Sequence, residues 1–369
     1  MNMRRIAALI VALIVSAMVA ASAQPPAAAP PLRLAIAGLI HGHVSGFLRA
    51  AQARSDVQIV AVFDPDAALL RKYGERYNLP PAALFTDLSA MLDRAKPEAV
   101  ASFTNTRDHP SIVEAASTRR VDVMMEKPLA VNNGDAQRIK RAADRGGINV
   151  FVNYETTWYP SHAAIWTLMK EKAAAGEIRK IVALDGHQGP KAIGVQPEFL
   201  EWLSDPVRNG AGALFDFGCY GASLMTWLMD GQRPVAVTAV TQHFQPAVYP
   251  HVDDEATIVV EYPKAQGIIQ ASWNWPISRK DLEVYGERGL AIATGGDGLR
   301  VALGREPEHV VKPDPRAPDE RDSLSHLIAV VRGRRKPNAL SSLENNLIVT
   351  EILDAARDSA RTHQRVTLR

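Results

Sequence analysis

The sequence predicts an α/β protein in two parts: a mostly parallel sheet of βαβ units, then an α+β region. Three observations carry this. Between residues 32 and 152, apolar runs of strand length alternate with helix-like segments. Beyond about residue 235, strand-like runs follow one another without a helix between them, as in an antiparallel or mixed sheet. With 47% hydrophobic and 22% charged residues, the 369-residue chain has the composition of a soluble globular protein, which excludes collagen-like, disordered and coiled-coil folds.

The chain opens on Arg4 and Arg5, then an uncharged apolar stretch over 6–21, then Ala21-Ser22-Ala23. These are the three parts of a secretory signal peptide, its apolar core shorter than the ~20 residues a membrane span needs. Cleavage after Ala23 is expected, leaving a periplasmic or secreted protein with no stable membrane span. It removes two of the 42 basic residues and none of the 40 acidic ones, so the mature chain is formally neutral and lacks the basic excess that nucleic-acid binding needs. Residues 24–31, rich in Pro and Ala, read as an extended tether. The single cysteine, Cys219, cannot form an internal disulfide.

Strands are expected at 34–37, 57–63, 99–103, 121–125 and 148–152. Between them, 66–77 places Leu69, Leu70, Tyr73 and Tyr77 on one helical face, and 87–95 follows Thr86 as N-cap. Pro110 opens a helix over 110–119, and Gly146-Gly147 stops one over 133–145. The second half offers a helix over 161–175 stopped by Gly176, a strand over 180–184 and a long helix over 212–229. Strands follow at 235–243, 256–262, 267–273, 281–285 and 290–293. A Pro- and charge-rich loop over 312–321 precedes two last helices, 323–331 and 342–359.

The first strand–turn–helix reads Leu34-Ala-Ile-Ala-Gly38-Leu-Ile-His-Gly42-His-Val-Ser-Gly46. A dinucleotide fingerprint, G-x-G-x-x-G, is met at Gly38 only, with Ile40 and His43 at its second and third glycines. The glycines recur instead every four residues, and the helix N-terminus can still attract phosphate. Either the loop has moved, so that Gly42 and the helix start cradle phosphate, or binding is weak. Asp64 ends the second strand, where a carboxylate hydrogen-bonds ribose hydroxyls and repels a 2′-phosphate, favouring NAD over NADP. Asp64 can alternatively cap the helix that follows. His41-x-His43 has no adjacent acid or Cys to complete a metal set; Asp185-Gly-His187 and His251-Val-Asp253-Asp254 lie far off. The pair reads as loop or cap histidines, with no metal expected.

Met125-Glu126-Lys127-Pro128-Leu129-Ala130 ends the fourth long strand at the carboxyl edge of the sheet, where ligands bind. A lysine there can orient substrate, or form a salt bridge at a strand end. Asp216 and Tyr220, four apart, share one face of a helix and can form a site or a buried bonded pair.

These segments resemble the Gfo/Idh/MocA family (glucose–fructose oxidoreductase, inositol dehydrogenase, rhizopine catabolism), whose members have E-K-P at the first of them. Thr104-Asn-Thr106-Arg-Asp-His109 is similar to the family's T-P-N-x-x-H, with Asn105 and Thr106 in place of Pro and Asn. Gly212-Ala-Leu-Phe-Asp216-Phe-Gly218-Cys-Tyr220 is similar to G-x-L-x-D-x-G-x-H/Y, with the Tyr of the branch that includes dihydrodiol dehydrogenase.

The resemblance implies an N-terminal Rossmann NAD-binding domain over 32–152 and a substrate-binding α+β domain over 153–369 with a large, mostly antiparallel open sheet, through which a homo-oligomer forms. It implies a catalytic group of Lys127, Asp216 and Tyr220, and cofactor contacts from Gly38, Ile40, His41, Gly42, His43, Asp64, Thr104, Asn105, His109, Glu126 and Lys127. Tyr154, Trp158, Tyr159, His162, His187, Trp202, Trp273 and Trp275 are candidate walls for a carbohydrate, since aromatic faces stack on sugar rings. The implied chemistry is hydride transfer between NAD and a sugar hydroxyl, with Tyr220 accepting the proton, its pKa lowered by the Lys127 ammonium. Free NAD is scarce outside the cytoplasm, so export implies a tightly held cofactor, recycled by oxidising one sugar and reducing another. The alternatives are an NAD-dependent glycoside hydrolase on the same scaffold and a sugar-binding protein that has lost the cofactor.

Overall fold

The computed structural model describes residues 29–368. The expected signal peptide, its expected cleavage triplet and most of the expected tether lie outside the described residues. From Leu32 the chain forms one compact unit.

Six parallel strands build the first sheet: β1 (Leu32–Ala37), β2 (Val57–Phe63), β3 (Leu84–Phe85), β4 (Ala99–Ser102), β5 (Asp122–Glu126) and β6 (Val150–Asn153). Their order is β3-β2-β1-β4-β5-β6, so the winding reverses between β1 and β4. That is the point where an open α/β sheet binds ligands beyond its carboxyl edge. β1 is apolar and buried on both faces apart from Arg33, because helices cover both sides.

Those helices are α1 (Val44–Gln52), α2 (Ala67–Arg76), α3 (Leu88–Ala95), α4 (His109–Ser117) and α5 (Asn133–Gly146). The Asp66 carboxylate caps α2 by accepting from the Ala68 and Leu69 amides. α3 is capped by Asp87, which accepts the Ala90 amide at 2.6 Å, and not by Thr86. α5 stops at Gly147, φ +61°.

The second sheet has nine strands in the order β14-β13-β12-β11-β7-β10-β9-β8-β15. They are β7 (Ile178–Gly186), β8 (Ala236–Gln242), β9 (Glu255–Glu261), β10 (Gln266–Ser272), β11 (Arg279–Gly286), β12 (Gly289–Thr294), β13 (Gly298–Leu303), β14 (His309–Val310) and β15 (Val366–Thr367). Only β7 and β10 pair in parallel. The expected open, mostly antiparallel sheet is borne out, with β13, β14 and β15 beyond the strands read from sequence.

Helix α6 (Pro160–Trp166) runs into a π-helical turn, Thr167–Glu171, where one α-helix was expected over 161–175. α7 (Pro197–Leu203) and α8 (Pro206–Asn209) lead into α9 (Ala213–Asp216) and α10 (Gly218–Leu228), so the expected helix over 212–229 is broken at Phe217. α11 (Ser323–Val331) returns to the first sheet, where Leu324, Leu327 and Ile328 share a core with Leu34, Ile36 and Phe151. α12 (Leu343–Thr362) closes the fold.

Candidate active site

β5 delivers Lys127 just past its carboxyl end. The Lys127 ammonium is buried and ion-paired with Asp216 Oδ1, and it donates to the Asp216 main-chain oxygen at 2.9 Å. Trp273 Nε1–H donates to Asp216 Oδ2 at 2.8 Å. Burial opposes both charges, but each partner outweighs it, so the Lys127 pKa is raised and the Asp216 pKa lowered. The pair also explains the helix break. With the Asp216 carbonyl taken by Lys127 and by Cys219 Sγ (3.3 Å), the Tyr220 amide turns to Phe217 O at 3.1 Å. The start of α9 is fixed by Asp253, whose carboxylate accepts from Gly212 N at 2.9 Å and Leu214 N at 2.7 Å.

Tyr220 lies beside this pair. Lys127 Nζ is 5.2 Å and Lys280 Nζ 4.8 Å from its ring centroid. Its hydroxyl makes no hydrogen bond among the described residues. Burial pushes its pKa well above the ordinary value, which overturns the expected lowering by Lys127. The reason is direction: the ammonium faces the ring and bonds to Asp216 instead of reaching the phenol oxygen. Tyr220 is therefore a neutral phenol.

Two cavities meet at Glu155. One, of about 470 Å³, is lined by Tyr159, His187, Phe217 and Lys280. The other, of about 580 Å³, is lined by His43, Glu126, Asn153 and Trp158. Glu155 is ion-paired with Lys280 and accepts the Tyr159 hydroxyl at 2.6 Å. Of the expected sugar-binding walls, Tyr159, His187 and Trp158 thus face cavities. Tyr154 does not: it is fully buried and donates to Asn346 Oδ1 at 2.9 Å. Trp273 is buried and serves Asp216, Trp275 donates its amide to His187 O at 3.2 Å, and Trp202 belongs to the first sheet's edge.

His162 is buried with Nδ1 on Thr156 O at 3.1 Å, and burial lowers its pKa to about 4. Between the ordinary value of 6.5 and about 4, the unfolded chain binds a proton that the native chain does not. Stability therefore falls as pH drops through that window, by on the order of 3 kcal/mol from this group. Urea unfolding at pH 7 and pH 4 should show a shallower loss in His162→Phe; an unchanged loss refutes the assignment.

The carboxyl edge of the first sheet carries the residues expected to hold NAD. Gly38 has φ +89°, and a Cβ there would lie 2.6 Å from Thr104 Cγ2, so this turn requires glycine on both counts. Asp64 Oδ2 accepts the Leu39 amide at 2.8 Å and Oδ1 the Asp66 amide at 2.9 Å. Asp64 thus ties the first turn to the second strand, while Asp66 does the capping. A glycine turn at the switch point and a carboxylate with lone pairs to spare fit a dinucleotide.

Other positions differ from expectation. The Ile40 carbonyl accepts Trp202 Nε1–H at 3.1 Å, and a Cβ on Gly42 would meet Phe199 at 3.0 Å. The loop is shaped by α7 packed on it, not opened at Gly42 for phosphate. Thr104 and Asn105 are buried; Thr104 Oγ1 donates to Asn105 O at 3.1 Å, and Asn105 Oδ1 accepts the Asp108 amide at 3.2 Å. His109 is buried, its Nδ1 3.1 Å from Leu129 O. These three shape the edge from within.

Glu126, the acid thought missing beside His41 and His43, sits against them. Its Oε2 is 3.1 Å from His43 Nδ1, and Asn153 Nδ2 donates to its Oε1 at 2.9 Å. Burial raises the Glu126 pKa, but the charge and hydrogen bond of His43 outweigh it and leave it at about 2.

Sequence reasoning missed Glu155, Lys280 and the role of Asp185. Lys280 lies opposite Asp185 in the β11–β7 register. Asp185 is buried with Oδ2 unpartnered, and burial pushes its pKa well up. Nothing short of the strand register could have paired them; Glu155, just past β6, could have been found from its place at the carboxyl edge.

A parallel domain with a dinucleotide turn, delivering a lysine to an aspartate on an open-sheet α+β domain, defines a class of two-domain oxidoreductases. Residues 32–154 match the oxidoreductase family with NAD-binding Rossmann fold, and residues 166–292 match the GFO/IDH/MocA C-terminal domain. The chain belongs to the Gfo/Idh/MocA oxidoreductase family. Trans-1,2-dihydrobenzene-1,2-diol dehydrogenase of Sus scrofa is 22% identical over 334 residues, 87% of this chain and 94% of that one. Among solved structures, aldose-aldose oxidoreductase from Caulobacter crescentus complexed with glycerol superposes with TM-score 0.78 at 22% identity, covering 92% of this chain and 100% of that one. An inositol dehydrogenase homolog complexed with NAD+ from Azotobacter vinelandii gives TM-score 0.78 at 20% identity, covering 92% and 98%. The fold expected from sequence is the fold of these proteins.

Proposed function

We propose that this protein is an exported oxidoreductase that moves hydride between tightly held NAD(H) and a hydroxyl or carbonyl of a sugar or sugar derivative. The observation that carries it is the buried Lys127–Asp216 pair beside Tyr220, where the carboxyl end of β5 meets the second sheet. Bound at the carboxyl edge, NAD(H) would take or supply the hydride. In the reducing direction Tyr220, a neutral phenol, gives its proton to the carbonyl oxygen that the arriving hydride makes negative, and Lys127 places a positive charge beside that oxygen; in the oxidising direction the same proton returns from the substrate hydroxyl to the tyrosinate. Asp216 holds Lys127 in place, so it acts through the lysine. Tyr159, His187 and Lys280 line the cavity that takes the sugar.

Tight retention is supported by α7, which lays Phe199 and Trp202 over the carboxyl edge. Export rests on the charge, apolar core and Ala21-Ser22-Ala23 in order. Self-association is supported by the sheet face turned away from α10, where Val182, Leu184, Ile268 and Ile292 are only partly buried; sedimentation as a monomer rejects it.

The test uses mature protein from its native compartment. Its N-terminus should lie near Gln24, and denaturation should release a nicotinamide nucleotide identifiable by mass spectrometry. Addition of an aldose should change the absorbance of the reduced cofactor. An intact Met1 rejects export; protein that neither releases nor binds nucleotide rejects the redox reading. Asp64 supports NAD over NADP. In calorimetry NAD should bind tighter, and Asp64→Ala should narrow the gap while also loosening the Leu39 turn by ~1–3 kcal/mol. Tighter NADP binding by the unmodified chain overturns the preference.

A further inference from the structure

His41, His43 and Glu126 form a three-ligand cluster at the mouth of the larger cavity. One ring nitrogen from each histidine and one carboxylate oxygen of Glu126 lie within 4.8 Å of one another. We propose that this cluster is a divalent metal site, taking a borderline transition-metal ion such as zinc.

The ligand types select that class. Two imidazoles and one carboxylate suit zinc, cobalt or nickel, whereas magnesium and calcium prefer all-oxygen sets. Three protein ligands with a fourth position open is the pattern of a zinc site that works on a bound ligand. Zinc at ~2.0–2.2 Å from each atom draws such ligands to a little over 3 Å apart, so the cluster closes by about an ångström. The His43–Glu126 contact, at 3.1 Å, is already at that spacing.

Each ligand is held by something other than a metal. The His41 ring is buried, 4.7 Å from the Phe199 ring and 5.5 Å from Trp202, and its Nδ1 accepts the His43 amide at 3.2 Å. Glu126 is fixed through its other oxygen by the Asn153 amide, and Asn153 Oδ1 accepts Trp158 Nε1–H at 3.2 Å. This is the outer support that orients metal ligands in proteins. His43 is about half exposed, and it lines the cavity together with Glu126, so an ion can enter and keep an open coordination position facing that space. The arrangement also accounts for the spacing His41-x-His43: the turn before α1 points two imidazoles at the end of β5.

The site goes beyond the proposed hydride transfer; because its three ligands are also expected cofactor contacts, it is tested on protein freed of nucleotide, and turnover is not its readout. Full-length mature protein, free of affinity tags, is stripped with chelator and titrated with Zn²⁺ by calorimetry and with Co²⁺ by visible absorption. One ion per chain is expected, with Co²⁺ ligand-field bands. His43→Ala and Glu126→Gln should each weaken binding by 100-fold or more, and Asn153→Ala by ~10–100-fold. His309→Ala, at an exposed histidine elsewhere, should change nothing. Lys127→Ala should keep one ion per chain, so loss of turnover and loss of metal separate. Absence of uptake by the unmodified chain overturns the proposal, as does uptake that survives unchanged in His43→Ala and Glu126→Gln.

Discussion

Lys127→Ala should lower turnover by on the order of 10²–10⁴. The same change leaves the Asp216 carboxylate buried with Trp273 Nε1–H as its one remaining hydrogen-bond donor among the described residues, and breaking a buried pair from one side costs ~3–5 kcal/mol. Activity and stability therefore fall together, and a second variant separates them. Lys127→Met combined with Asp216→Leu removes both charges and should restore most of the stability, because a buried ion pair replaced by apolar groups is often neutral. It should restore none of the activity. Tyr220→Phe removes a hydroxyl that makes no hydrogen bond among the described residues, so it should leave stability within ~1 kcal/mol while turnover drops as in Lys127→Ala. Denaturant unfolding and turnover of an aldose or polyol measure both. If Lys127→Ala and Tyr220→Phe keep full activity, the catalytic assignment fails and Asp216 with it.

Gly212→Ala should be the most destabilising single-methyl change near the site. A Cβ at that position lies 1.8 Å from the Asp253 carbonyl oxygen, a main-chain atom that cannot swing aside. Overpacking of this kind costs ~1–3 kcal/mol where side chains yield, and 4 kcal/mol or more is expected where backbone must move. The Asp253 bonds to Gly212 and Leu214 also position α9, so Asp216 shifts with them. Loss of folded protein, or a fall of that size in urea unfolding, is the expected result. A variant as stable as the unmodified chain, with unchanged turnover, contradicts the tight packing at Gly212.

Much of this was legible in the residues. Apolar runs alternating with helical segments gave the parallel sheet, and successive strands gave the second. Helix 323–331 and strand 57–63 were read to the residue. Lys127 was placed at a strand end from its neighbours alone, and Asp216 with Tyr220 from their spacing. What failed shares one cause. Asp216 was read within a continuous helix, yet a lysine 89 residues earlier takes its carbonyl and breaks that helix. Tyr154 looked like a pocket wall and is core. Asp64 looked like a possible helix cap, and the cap is Asp66.

The sequence by itself determined the class of most of the longer elements, the glycine turn at Gly38 and the residue types at the carboxyl edge. Periodicity, caps and turn conformations are set by neighbours within a few positions, and those can be read in order along the chain. Only the tertiary structure decided which charges meet. It turned Lys127 toward Asp216 and away from the Tyr220 hydroxyl, set Lys280 opposite Asp185, laid α7 across the cofactor edge and brought Glu126 to His41 and His43. Each of these contacts closes a long stretch of chain, and its partner is chosen by packing and register between elements, which no local pattern records.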